Sequence, residues 1–96
     1  MKVFLTDELY KLWHEEESEI YNLSKQQLKS FFNGVQLFHA SSSVEDLKTI
    51  SYLQIIQNTK NEYHVVIEKN LKIVIDIKNK AKSEYLTCDV KHLLLP

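Results

Sequence analysis

The residue types that could do chemistry in this sequence are histidine, lysine and one cysteine, and their spacing excludes most familiar sites. His14 follows Trp13 in an acidic stretch and reads as a surface side chain. His39 ends an apolar helical stripe, where a positive imidazolium favours the helix C-terminus. Neither has a second histidine at metal-ligand spacing, and glutamates alone are a poor metal signature, so neither a metal nor another cofactor is expected. One glycine, Gly34, rules out a glycine-rich phosphate loop. There is no serine elbow and no Cys-His nucleophile motif. Cys88, between Leu86 and Val90, reads as a small core residue.

Charge narrows the choice further. Twelve basic residues, all lysine, face thirteen acidic ones, for a net charge of −1. Without arginine there is no bidentate phosphate clamp and no guanidinium stacking. Any anion site must therefore be built from lysine point charges, histidine and backbone amides. A near-neutral chain also lacks the overall positive field of a dedicated nucleic-acid binder, so any basic patch is local. The lone cysteine excludes an intrachain disulfide framework and a multi-thiolate zinc site, which favours a reducing compartment. No apolar run approaches the roughly 20 residues of a membrane span, and the N-terminus lacks a signal-peptide core, so a cytoplasmic address is expected.

These side chains must be positioned by one small domain, residues 1–96, since 96 residues rarely divide between two cores. Lys2-Val3-Phe4-Leu5-Thr6 reads as a strand, and Thr6-Asp7-Glu8 as a helix start. Leu9, Leu12, Trp13 and Ile20 recur at helical spacing, with Glu15, Glu16, Glu17 and Glu19 covering the other face as a solvated run. Ser24-Lys25-Gln26-Gln27 has capping-box spacing ahead of the stripe Leu28, Phe31, Phe32, Val35 and Phe38. Gly34 inside that stripe implies close packing against another element. Ser43-Val44-Glu45-Asp46 caps a last short turn. From residue 51 the period changes from 3.6 to 2, with strands expected over 52–57, 63–68, 71–78 and 84–90 and turns between them. The expected fold is α+β: an N-terminal strand and two to three helices packed on one face of a small, largely antiparallel sheet.

Side-chain parity then sorts residues between the faces. A three-residue loop at Lys69-Asn70-Leu71 pairs Ile67 with Ile73, Val65 with Ile75 and Tyr63 with Ile77 on an apolar face. The opposite face then pairs Glu68 with Lys72, Val66 with Val74 and His64 with Asp76. Continuing the alternation, Leu86, Cys88 and Val90 join the core, while Thr87, Asp89 and Lys91 face outward. That pairing sets Lys91 opposite Lys72, a like-charge contact that an anion would relieve, or that two flexible lysines escape by diverging into water. His92 lies just past the strand, where parity does not dictate its direction.

Ser43-Val44-Glu45-Asp46-Leu47, Glu62-Tyr63-His64-Val65-Val66-Ile67, Asn70-Leu71-Lys72-Ile73-Val74-Ile75 and Asp89-Val90-Lys91-His92 occur in an order that resembles the RelE/ParE superfamily of bacterial toxins, and most its HigB branch. The resemblance covers about two thirds of the chain, from Leu28 to His92. It implies a RelE-like fold and the toxin of a type II toxin–antitoxin system: a ribosome-dependent mRNA endoribonuclease, silenced by a cognate antitoxin. The implied reaction is metal-free attack of a ribose 2′-hydroxyl on the adjacent phosphate, which needs a proton acceptor, a proton donor and cations.

In the family an aromatic-Arg-hydrophobic triplet supplies a cation from the open sheet face. The matching triplet here is Leu71-Lys72-Ile73, so Lys72 keeps the charge and loses the fork. The family's C-terminal Tyr-His pair matches Lys91-His92, and its loop before the hairpin matches residues 57–61, where Lys60 is the nearest cation. The resemblance thus assigns phosphate stabilisation to Lys72 and Lys91, proton transfer to His92, and RNA contacts to Lys60 and His64. The missing arginines leave two other readings open: a protein of the same fold that inhibits a protein target without catalysis, or a decayed toxin.

Overall fold

The computed structural model describes residues 1–79 and 86–95. Strand β1 (Lys2–Leu5) is followed by helices α1 (Asp7–Glu15), α2 (Lys25–Ala40) and α3 (Val44–Lys48), then by β2 (Leu53–Gln57), β3 (Glu62–Ile67), β4 (Leu71–Lys78) and β5 (Thr87–Leu94). All three helices begin where the sequence places a cap. The Thr6, Ser24 and Ser43 hydroxyls accept from the amides of Leu9, Gln27 and Asp46, and Gln27 returns a bond to the Ser24 amide to complete a capping box. The expected strand residues Glu84 and Tyr85, and the expected turn residues 80–83, lie outside the described residues.

Helix α1 is shorter than its apolar spacing suggests. It ends at Glu16, which adopts a left-handed conformation at φ 59°. Ile20 therefore lies beyond the helix, 70% exposed, and Glu17 and Glu19 lie on the following loop rather than on a helical face. A local hydrogen-bond set holds that loop. The Glu8 carboxylate accepts from the Ser18 hydroxyl (2.5 Å) and the Glu19 amide (2.8 Å), and Ser18 accepts from the amides of Ile20 and Tyr21. Those bonds, led by the one from Ser18, hold the Glu8 carboxyl below its ordinary pKa.

The strands form one five-stranded mixed sheet in the order β1-β5-β4-β3-β2, with β1 parallel to β5 and every other pair antiparallel. The helices pack on one face, α1 and α2 over β1, α2 over β4 and α3 over β2. The core lies between: Leu9, Leu12, Phe31, Val35, Phe38 and Leu47 from the helices meet Val65, Ile67, Leu71, Ile73, Ile75, Cys88 and Val90 from the sheet. Gly34 marks the closest approach. A Cβ there would lie 2.7 Å from the Cδ1 atoms of both Ile67 and Ile73, so the missing side chain lets α2 sit down on the sheet.

Parity assigns the faces correctly, but the register differs. The β3–β4 loop is Glu68-Lys69-Asn70, and Ile67 pairs with Leu71, Val65 with Ile73 and Tyr63 with Ile75. A shift of two residues leaves the strand side chains of β3 and β4 on their expected faces, whereas Glu68, expected as a strand residue, falls in the loop. Packing selects it, because Leu71 reaches the core only as a strand residue opposite Ile67, and the left-handed positions then fall to Glu68 (φ 51°) and Lys69 (φ 61°). Along β5, Cys88 pairs with Ile77 and Val90 with Ile75. A bulge between Val74 and Ile75 then skips Lys91, so that His92 pairs with Val74, Leu93 with Ile73 and Leu94 with Lys72. Lys91 is thus not opposite Lys72. The bulge switches β5 from even to odd inward residues, burying Leu93, whose amide donates to the Tyr21 hydroxyl at 3.2 Å.

Candidate catalytic face

The sheet face turned away from the helices carries four of the five candidate residues. Its middle row runs Ile56–His64–Val74–His92 across β2, β3, β4 and β5. Val74 is 1% exposed yet lies outside the core cluster, because its cover comes from neighbours on its own outer face. His64 and His92 flank it, one strand away on each side, so their backbones are about 10 Å apart. The two histidines thus stand on one face with a single strand between them. Histidine is the side chain that can take a proton in one position and give one in another near neutral pH.

The next row runs Gln54–Val66–Lys72–Leu94. Here Lys72 borders a cleft of about 220 Å³ that it lines together with Val66, Lys69, Leu71, Leu94 and Leu95. Glu68, which the sequence sets opposite Lys72, turns to the helix side and accepts from Gln26 Nε2 at 3.0 Å. Neither Lys69 nor Lys72 has a carboxylate within 4.0 Å among the described residues. Two unneutralised ammonium groups beside an apolar floor favour an anion attached to a less polar body.

The opposite end of the same face carries a row of carboxylates. Glu62, Asp76 and Asp89 stand side by side on β3, β4 and β5, a like-charge arrangement that a sheet tolerates only when cations compensate it. Lys78 reaches Asp76 (3.6 Å) and Asp89 (3.7 Å), and Lys91 reaches Asp76 at 3.9 Å. Glu62 is held below its ordinary pKa, chiefly by a hydrogen bond from the Asn58 side chain and then by the charges of Lys91 and His64. His64 Nε2 is 3.6 Å from the Glu62 carboxylate. No group of three or more His, Cys, Asp or Glu side chains among the described residues is arranged to hold a metal ion. Cys88 is buried on the other face, where desolvation first and Asp89 second push its thiol up to about 12, so it is no nucleophile near neutral pH.

The candidates therefore separate. His64, His92 and Lys72 share adjacent rows. Lys91 borders them but is engaged by Asp76. Lys60 lies in the β2–β3 turn beyond the carboxylate row, which is itself four residues, about 13 Å, along β4 from Lys72. Sequence reasoning missed Lys69, which reads as a turn residue, and missed the carboxylate row, whose members lie far apart in the chain. Charge alternation along β4, Lys72, Asp76 and Lys78 at even positions, was the available signal. No helix among the described residues is long and apolar enough to cross a membrane. Comparison with family models, with curated proteins and with solved structures found no match to this chain.

Proposed function

We propose that this chain is a RelE-fold toxin of the HigB type, from a type II toxin–antitoxin system, that cleaves ribosome-bound mRNA in the cytoplasm by metal-free acid/base chemistry. The observation that carries the reading is the His64–Val74–His92 row on the helix-free sheet face, with Lys72 in the next row and no carboxylate within 4.0 Å of it among the described residues. The element order, one strand, three helices and four strands, agrees with the layout that the sequence resemblance implies.

The chemistry follows from those positions. One imidazole accepts the proton of the ribose 2′-hydroxyl as its oxygen attacks the adjacent phosphorus. Lys72 balances the growing charge of the phosphorane, and the second imidazole protonates the departing 5′-oxygen. The products are a 2′,3′-cyclic phosphate and a free 5′-hydroxyl. His92, more exposed than His64, is assigned the principal proton transfer. His64, oriented by Glu62, is assigned the complementary one. Lys91 adds field strength from its place beside Asp76, and Lys60 is too distant to meet the same phosphate. A cognate antitoxin would silence the protein by covering this face.

Lys72→Ala and His92→Ala should each reduce ribosome-dependent mRNA cleavage by roughly a hundredfold or more, read as mapped transcript ends after induced expression. Unchanged cleavage in both variants overturns the assignment. A second reading, a protein of this fold that binds a protein target without catalysis, draws on the ion-paired carboxylate row, which repels RNA from half of the same face. It expects no transcript ends from the unaltered chain.

A further inference from the structure

The two edges of the sheet are unequal. Edge strand β1 is four residues long and begins with Lys2, features that discourage pairing with another chain. Edge strand β2 has no such protection. Residues 49–59 contain no charged side chain and no proline or glycine, and within them Tyr52 is 46% and Ile56 44% exposed. Such a segment, with its backbone groups open on one side, is a template for strand addition.

The hydrogen bonds show which groups are open. The Asn58 amide donates to the Glu62 carbonyl on β3 at 2.9 Å, so alternation turns Gln54 and Ile56 toward β3 and Ile55 and Gln57 toward the free edge. Leu53 also faces that edge, but its amide is taken by the Ile50 carbonyl at 3.1 Å. Among the described residues, the outward groups without a partner are therefore those of Ile55 and Gln57.

We propose that β2 pairs antiparallel with β2 of a second copy of this chain, about a two-fold axis at Ile56. This register sets Ile55 opposite Gln57 of the other copy in both directions and makes roughly four backbone hydrogen bonds from the free groups. It brings the two exposed Ile56 side chains together at a non-hydrogen-bonded pair, where side chains are closest. It places Gln54 opposite Asn58 and continues the two sheets into one. The edge is neutral, so self-pairing brings no like charges together, whereas a charged segment would lose hydration against it without gaining a counter-charge.

Sedimentation velocity of the full chain, from micromolar to hundreds of micromolar, should show a monomer–dimer equilibrium. Ile56→Lys and Ile56→Glu each place like charges at the axis on a surface position that leaves the core untouched. Each should weaken the dimer by roughly tenfold or more with circular dichroism unchanged, and an equimolar mixture of the two should restore it, less so at high salt. A chain that stays monomeric throughout, a dimer indifferent to both substitutions, or a mixture that fails to recover overturns the proposal.

Discussion

Strand β4 serves two faces that are built on different physics. Leu71, Ile73, Ile75 and Ile77 point inward and are sealed by shape, with Gly34 shaved to fit two isoleucine methyls. Lys72, Asp76 and Lys78 point outward and are arranged by charge, each answered by neighbouring strands or left open. On the inner face a lost methyl group is a cavity, because close-packed neighbours relax little. On the outer face water compensates most losses, so substitutions act on what the face attracts rather than on whether the chain folds. Stability and chemistry thus alternate along one strand, except at Val74, which is buried on the outer side.

Two adjacent residues test the contrast between the faces most directly. Ile73→Ala should cost about 2–5 kcal/mol in urea denaturation, whereas Lys72→Ala should change stability by less than about 0.5 kcal/mol. Comparable losses would mean that the outer face is structural as well. The next effect concerns the carboxylate row. Asp76→Asn removes the shared partner of Lys78 and Lys91, and because the pair geometry is partly exposed the stability change should stay within about 1 kcal/mol. Lys78 keeps Asp89 at 3.7 Å, so Lys91 is the lysine freed, and it should tighten binding of a single-stranded RNA oligonucleotide and steepen its salt dependence by roughly 0.7 in log–log slope, measured by fluorescence anisotropy. An unchanged slope would show that the row does not restrain Lys91.

The smallest effect is a pH dependence. Glu62 has a folded-state pKa below its ordinary 4.5, so its contribution is complete above that value and is lost as pH falls through the depressed one. Asn58→Ala removes the main cause. The variant's urea midpoint should therefore fall less than that of the native chain when the pH drops below 4.5. An equal fall in both would assign the depression to Lys91 and His64 instead.

Much of the architecture is visible in the residues themselves. The three caps, the change of period after residue 50, the close approach at Gly34 and the inward set on β3 and β4 are all local signals, because capping, steric bulk and the two-residue alternation act within a few positions. The α1 stripe misled at Ile20, since apolar spacing alone cannot register that Glu16 turns left-handed and that Glu8 captures Ser18. The candidate face was legible as a face, but not as a site. Alternation fixes which side a residue takes and is blind to a shift of two, and it cannot foresee a bulge.

That limit divides the local signals from the outcome of packing. Composition and periodicity determined an α+β chain with no arginine, in which any anion must be met by lysine and histidine. The tertiary structure decided which lysines remain available. Burying Leu71 moved the hairpin by two residues and turned Glu68 away from Lys72. Burying Leu93 required a bulge that removed Lys91 from its expected place opposite Lys72, set His92 beside Val74 across from His64, and left Lys91 within reach of Asp76. Core packing is worth several kcal/mol and exposed charge pairs about one, so the inner face set the register and the outer face took the arrangement that followed.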